Sequence, residues 1–388
     1  MPVKLHFNWK DVPRALRFGF SLKKIWVQFL GLLIGTIGYS IFAYLALLAS
    51  GLSFKEIWNF WKFVPVPVGE PMNVGGIILF ILGIIFFIVL NFFFGVAVSK
   101  ITYEQLKGDD FYEVKEALKF AFKKGKAVII APISLIILAV FIIVGGIIVG
   151  LLGKIPWFGE LVILLSSIPA FFASLFLIYI FFAFILSLFI SAAVVATTES
   201  DTFDTLFEVF STLNDENWRF IGYEALLGVV NFIGTSVFIW AIGRAIWIMH
   251  RIWAASWLMG DKYVAVEKGA LYYMTYSPLF YKIEGWLDFL KVGGILSPVN
   301  VLPQMSIPQH ILAFVLGILL YFVVFIAIAF PLVVFWVGNT LAYIVLVKKK
   351  DDIDLLAQEE KEEPTESLIK EQEEKSKEEE KGEKEEEG

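Results

Sequence analysis

The chain has 388 residues, 58% of them hydrophobic and 18% charged, whereas about a quarter of a soluble globular domain is charged. It contains no cysteine, which excludes disulfides, thiol nucleophiles and thiolate metal sites. The formal charge of −6 joins two opposed parts: residues 351–388 hold 18 acids against six lysines, so residues 1–350 carry a net +6.

In chain order, the first element is an amphipathic helix beginning near Asp11. Asp11 is a fitting N-cap, and Pro13 sits in the first turn, where its missing N–H costs nothing. Val12, Ala15, Leu16, Gly19 and Leu22 share one face, with Arg14, Arg17 and Ser21 opposite. Such a helix lies in a membrane surface. An apolar run over 25–49 follows, long enough to cross about 30 Å of hydrocarbon. The small residues Leu47-Leu48-Ala49-Ser50-Gly51 resemble a leader cleavage site, but the run is too long for a leader core and reads as an uncleaved span. Gly31 and Gly35 form a GxxxG pair suited to close helix contact. A loop over 50–73 with Trp58, Trp61 and three prolines leads to span 2, 74–98, with the single amide Asn91.

The opening pattern then returns. Ala15-Leu16-Arg17-Phe18-Gly19-Phe20 recurs as Ala117-Leu118-Lys119-Phe120-Ala121-Phe122, inside a second amphipathic segment over 99–126. Its apolar face is Phe111, Val114, Ala117, Leu118, Ala121 and Phe122; Lys115, Lys119 and Lys123 lie opposite. Span 3 is 127–152, with a second GxxxG at Gly146 and Gly150. Residues 161–196 are too long an apolar run to cross upright, so span 4 is placed at 170–194, kinked at Pro169. A third, weaker copy of the opening helix follows Asp201: Phe203, Leu206, Phe207, Val209, Phe210 and Leu213 face Asp204, Thr205, Glu208 and Asp215. Here the charge sign is reversed.

Span 5 is 220–242 and contains Glu224 and Asn231. Residues 244–258, with Trp247, Trp253 and Trp257 among Arg244, His250 and Arg251, read as interfacial, opening a large aromatic outer loop to about 308. The final run, 311–347, holds Asn339, is kinked at Pro331 and ends in Lys348-Lys349-Lys350. It accommodates one crossing or two; the triple lysine favours one. With the N-terminus inside and six spans, the inner segments carry 17 Lys and Arg and the outer ones nine, the tail excluded. That bias places both termini in the cytoplasm of a multi-pass cell-membrane protein.

The expected fold is thus an all-α, polytopic transmembrane helical bundle of about six spans, with three repeated cytosolic amphipathic elbow helices. Its units are 1–98, 99–196 and 197–350. Residues 351–388 are a Glu/Lys-rich tail with too little apolar surface to fold.

The unit of amphipathic helix, small bend, basic or Trp residue and long span resembles a superfamily of poorly characterised prokaryotic membrane proteins. That superfamily includes the membrane domain of some glycerophosphodiester phosphodiesterases. Residues 191–227, with Asn217-Trp218-Arg219, carry the resemblance best, and 116–126 are similar. It implies a membrane architecture and no reaction, since no segment is long enough for the catalytic phosphodiesterase domain.

Two groups of candidate sites follow. Arg14, Arg17, Lys23, Lys24, Lys115, Lys119, Lys123, Lys124 and Lys126 are placed to hold anionic lipid headgroups at the inner face, although the ordinary positive-inside signal accounts for the same residues. Glu224, Asn231, Asn91 and Asn339 are intramembrane polar sites. The plainer reading gives the amides interhelical hydrogen bonds, and gives Glu224 a headgroup position or a partner in Arg219 or Lys126. The aromatic stretch 272–286 is read as an aromatic girdle or a lipid or peptide site. The acidic third elbow is expected to dock on a basic elbow, with the tail competing for that surface. No catalytic residue, metal site, cofactor or nucleic-acid contact is expected. The leading function is a non-catalytic scaffold or accessory subunit, its partners being anionic lipids and, for the tail, a basic cytosolic protein; the alternative is a transporter or lipid-handling permease.

Overall fold

A computed structural model describes residues 3–67, 69–274, 299 and 301–357. Among them every regular element is helical. A 3-10 turn over Trp9–Arg14 runs into α1 (Ala15–Gly19), and α2 (Leu22–Ala49) follows. Next come α3 (Phe54–Trp61), α4 (Val74–Lys107), α5 (Val114–Lys124), α6 (Lys126–Leu152) and α7 (Phe158–Thr198). The chain continues as α8 (Thr202–Asp215), α9 (Asn217–Trp253), α10 (Asp261–Met274) and α11 (Ile307–Asp351). Six helices are long and apolar enough to cross a membrane, the hallmark of a multi-pass membrane protein.

Local chemistry sets the helix boundaries. The Asn73 side chain caps α4 by accepting from Gly76 N–H at 2.7 Å, and Gly108 closes it in the left-handed conformation at φ 109°. Ser53 with Glu56 and Ser306 with Gln309 form capping boxes for α3 and α11. Asp201 caps α8, accepting from Asp204 N–H at 3.0 Å. At the first elbow the cap is Asn8, one turn earlier than the sequence indicates. Asp11 lies at the third position of that box and is fully buried.

The 45-residue α11 is one uninterrupted helix through Pro331, about 67 Å long, so the chain does not reverse within it and crosses once. The 41-residue α7 likewise runs through Pro169. Both exceed the ~30 Å of hydrocarbon, so their ends project. Residues 244–253 belong to α9, and the expected outer loop contains a helix, α10. Its charges Asp261, Lys262, Glu267 and Lys268 mask an inner face of Ala270, Leu271 and Met274, packed on Leu320 of α11.

The core sits at the end of the bundle that carries the N-terminus, called here the near end. α4, α7 and α11 pack on one another there. Residues 94–104 of α4, 190–197 of α7 and, apart from the half-buried Phe335, 333–347 of α11 are buried on every side. A helix apolar all round is stable only when surrounded. The surrounding is done by α2, α6 and α9 and by the three short helices: α1 packs on α11, α5 on α4 and α8 on α7. Toward the far end α6 and α7 spread away from the rest and expose Ile137, Phe141, Leu164 and Phe172. The two GxxxG pairs differ accordingly. A Cβ on Gly31 would stand 2.7 Å from the Phe94 ring, so α2 and α4 meet there; Gly146 and Gly150 face open space.

Candidate functional site

The three short helices share one construction. Small residues face the core: Ala15 and Gly19 on α1, Ala117 and Ala121 on α5, Thr205, Val209 and Thr212 on α8. Large apolar residues at or beside them point outward: Phe20, Leu22, Phe111, Phe122, Phe203, Phe207 and Trp218 are all exposed. Several of these had been read on the apolar faces of the three helices, and the protein core takes the small residues of those faces instead. Leu22 is 87% exposed because the backbone leaves the helix at Phe20 (ψ 61°), and Phe18 is buried in its place. Phe111 precedes the start of α5, and Phe207 is displaced from the core by Thr205 and Val209. Outward aromatics beside charged side chains are what a helix in a membrane surface presents.

The predicted headgroup residues divide into two sets. Lys115, Lys119, Lys123 and Lys126 lie exposed along α5 and the start of α6, and Arg17 is exposed on α1. Arg14, Lys23, Lys24 and Lys124 tie segments of the chain together. Arg14 pairs with Asp11 at 3.0 Å and donates to the Lys4 carbonyl at 2.9 Å. Lys23 donates to the carbonyls of Asp110 (3.0 Å) and Tyr112 (3.1 Å). Lys24 is fully buried, donating to the Phe18 carbonyl at 3.1 Å and Gln105 Oε1 at 2.8 Å. Lys124 is 3.9 Å from Glu199. These bonds fasten α1 and α2 to the end of α4, and α5 to the end of α7.

The acidic elbow is tied elsewhere than expected. Glu208 of α8 receives Lys350 of α11 at 2.6 Å, so its partner is the triple-lysine end and not a basic elbow. Lys100 on α4 links Glu104 (2.9 Å) and Glu199 (3.3 Å) and lies 4.7 Å from the Phe120 ring centre. The first residues of the tail, expected not to fold, are anchored: Leu355 is buried and its carbonyl accepts from Tyr103 at 2.8 Å, because its apolar side chain finds the core end. Asp352 is held below the usual carboxylate range by Lys348, its hydrogen-bonding partner. The tail from 358 onward lies outside the described residues, as do Tyr276, Phe280, Tyr281 and Trp286 of the aromatic stretch.

The intramembrane polar residues also separate. Asn91 accepts from Gln28 at 3.0 Å and donates to the Phe87 carbonyl at 2.8 Å, bridging α2 and α4. Asn231 donates to the Pro331 carbonyl at 3.0 Å and accepts from Thr235, joining α9 to α11 beside the proline. Asn339 donates to Phe335 in its own helix, while its Oδ1 is buried without a partner. Glu224 Oε1 is likewise buried and unpartnered; Arg219 pairs with Glu216, at 2.7 Å for one of the two oxygens.

A further cluster has no counterpart in the sequence reading. Glu267 on α10 is buried and receives Tyr263 O–H at 3.1 Å, and its other oxygen lies 2.6 Å from His250 Nδ1 on α9. Burial, then the neighbouring Glu267 charge, raises the Tyr263 phenol well above its ordinary range. The signal was present as Tyr263 and Glu267 at i,i+4 spacing, but only within a helix that had been read as loop. No family model, curated protein or solved structure matches this chain.

Proposed function

We propose that the protein is a non-catalytic membrane scaffold or accessory subunit, with the near end on the cytoplasmic side of the cell membrane. In this reading the chain is three successive units of elbow helix and two crossings. The second crossings, α4, α7 and α11, form the centre, and each elbow rests on the second crossing of the unit before it. α1 resting on α11 closes the ring. The resemblance in 191–227 to the prokaryotic membrane superfamily is consistent with this plan and adds no reaction.

The observation that carries the reading is the exposed lysine face of α5 beside outward Phe111 and Phe122, next to a core already filled. Such a helix settles at headgroup level, where each cation near an anionic leaflet contributes roughly 1 kcal/mol. In nanodiscs of mixed lipid, replacing Lys115, Lys119, Lys123 and Lys126 by Gln should lower the anionic lipid recovered with the protein by at least about threefold. Unchanged recovery counts against the headgroup role. The acidic tail supplies the contact for a basic cytosolic partner, which should copurify with the full chain and not with a chain ending at 357.

A transporter or lipid-handling permease is the second reading, favoured by the unpartnered buried oxygen of Glu224. Solute flux or lipid scrambling in proteoliposomes, abolished by Glu224→Gln, would put it first.

A further inference from the structure

A groove of ≈ 660 Å³ runs along α2 between the α3 segment and α11. Its walls are almost wholly apolar; Leu33, Ile37, Ile41 and Leu48 form one side and Phe322 and Phe325 the other. From Leu33 to Leu48 it extends about 22 Å along the helix axis, more than half of the ~30 Å hydrocarbon thickness. α2 and α11 are both long and apolar enough to cross a membrane, an arrangement in which the groove opens sideways into hydrocarbon. Its volume lies within the range of sites that enclose one small molecule.

The far end of this groove is built differently. Tyr44, in the wall, donates its hydroxyl to the Lys62 carbonyl, and Phe63 and Val64 of the next turn complete the lining. Lys62 is 3% exposed. Among the described residues its ammonium meets neutral groups: the Asn59 carbonyl at 3.1 Å, the Tyr272 hydroxyl at 3.3 Å and the Tyr272 ring centre at 4.7 Å. Among the described residues no carboxylate pairs with it. Trp61 beside it is buried, packed with Tyr44, and its Nε1 donor has no acceptor. Trp61 and Lys62 directly precede Phe63 of the groove lining, and this unsatisfied donor and buried cation lack the same thing, an anionic oxygen.

We propose that this groove holds one phospholipid of the far leaflet, its tail along α2 and its phosphate at Lys62 and Trp61. The phosphate takes the place of the Asn59 carbonyl and Tyr272 hydroxyl around the ammonium and accepts from the indole N–H. An anionic headgroup is preferred, because the Lys62 ammonium has no carboxylate partner among the described residues. The site lies at the opposite end of the molecule from the elbow surface, so it stands or falls separately from the scaffold reading.

Native mass spectrometry of the purified full chain, offered equal phosphatidylglycerol and phosphatidylcholine, tests this. One retained phosphatidylglycerol per chain is expected, favoured about fivefold. Ile41→Trp, which fills the groove from an exposed position, should abolish retention, whereas Ile136→Trp on the exposed face of α6 should not. Lys62→Gln should keep a lipid and lose the headgroup preference. Circular dichroism and melting identify variants that have not folded; Leu45→Trp, also in the groove, replaces Ile41→Trp if that one fails. Equal retention by wild type and a folded groove-filling variant overturns the site. An unchanged preference in Lys62→Gln overturns the headgroup assignment.

Discussion

Asp11 illustrates how one side chain organises an elbow. Fully buried, it accepts from His6 N–H at 2.9 Å and Asn8 N–H at 3.4 Å and pairs with Arg14 at 3.0 Å. Asp11→Ala leaves those donors unsatisfied under the elbow and should cost about 2–3 kcal/mol, measured as a lowered denaturation midpoint. Lys24 is the opposite case. Its ammonium is buried on a carbonyl and an amide oxygen, with no carboxylate in contact among the described residues. Replacing a desolvated cation by an apolar side chain of similar length is often neutral or stabilising. Lys24→Met should therefore leave the melting temperature unchanged or raised, and leave anionic-lipid recovery unchanged, unlike the α5 lysines. A clear loss of stability would mean the two hydrogen bonds outweigh the burial of the charge.

At the scale of elements, glycine placement separates helices that meet from helices that face lipid. Gly31→Leu drives a side chain into Phe94 and should destabilise by about 1–3 kcal/mol, whereas Gly146→Leu, in open space, should change the melting temperature little. The two pairs are indistinguishable in sequence, because GxxxG records the capacity for close approach and not the presence of a partner. The same limit explains the elbows. Their existence was legible from periodicity and charge, whereas the cap read at Asp11 is made by Asn8. Which apolar residues turn inward was not legible. Close packing on α4, α7 and α11 selects Ala, Gly, Thr and Val, and leaves Phe122, Phe203 and Phe207 exposed. The lysines show a related difference. Position marks where a cation lies along the chain, but only the fold places Gln105 under Lys24, and Glu199 between Lys100 and Lys124. The groove along α2 was illegible for the simplest reason: its two walls are nearly 300 residues apart in the chain.

For the whole molecule, the six crossings were readable from length and hydropathy alone, since few other arrangements satisfy backbone groups in hydrocarbon. The central placement of α4, α7 and α11 was not, because nothing in an apolar run says which neighbour it will choose. Their near-end segments are buried and closely surrounded, while α6 and α7 stand apart at the far end. A firm near end and a looser far end follow. Hydrogen exchange should protect 333–347 of α11 more strongly than 140–152 of α6, whose flanks only lipid covers.

The proposed plan requires the elbows α1, α5 and α8 to lie on one side of the bilayer, opposite the turn between α6 and α7. The absence of cysteine makes this directly measurable. Single cysteines at Arg17, Lys119 and Asp204, all exposed, and one at Glu160 would be treated with an impermeant maleimide on sealed vesicles of known orientation. Labelling of the first three from the cytoplasmic side only, and of Glu160→Cys from the other side only, is the expected result. Lys119→Cys and Asp204→Cys reacting from opposite sides would contradict it.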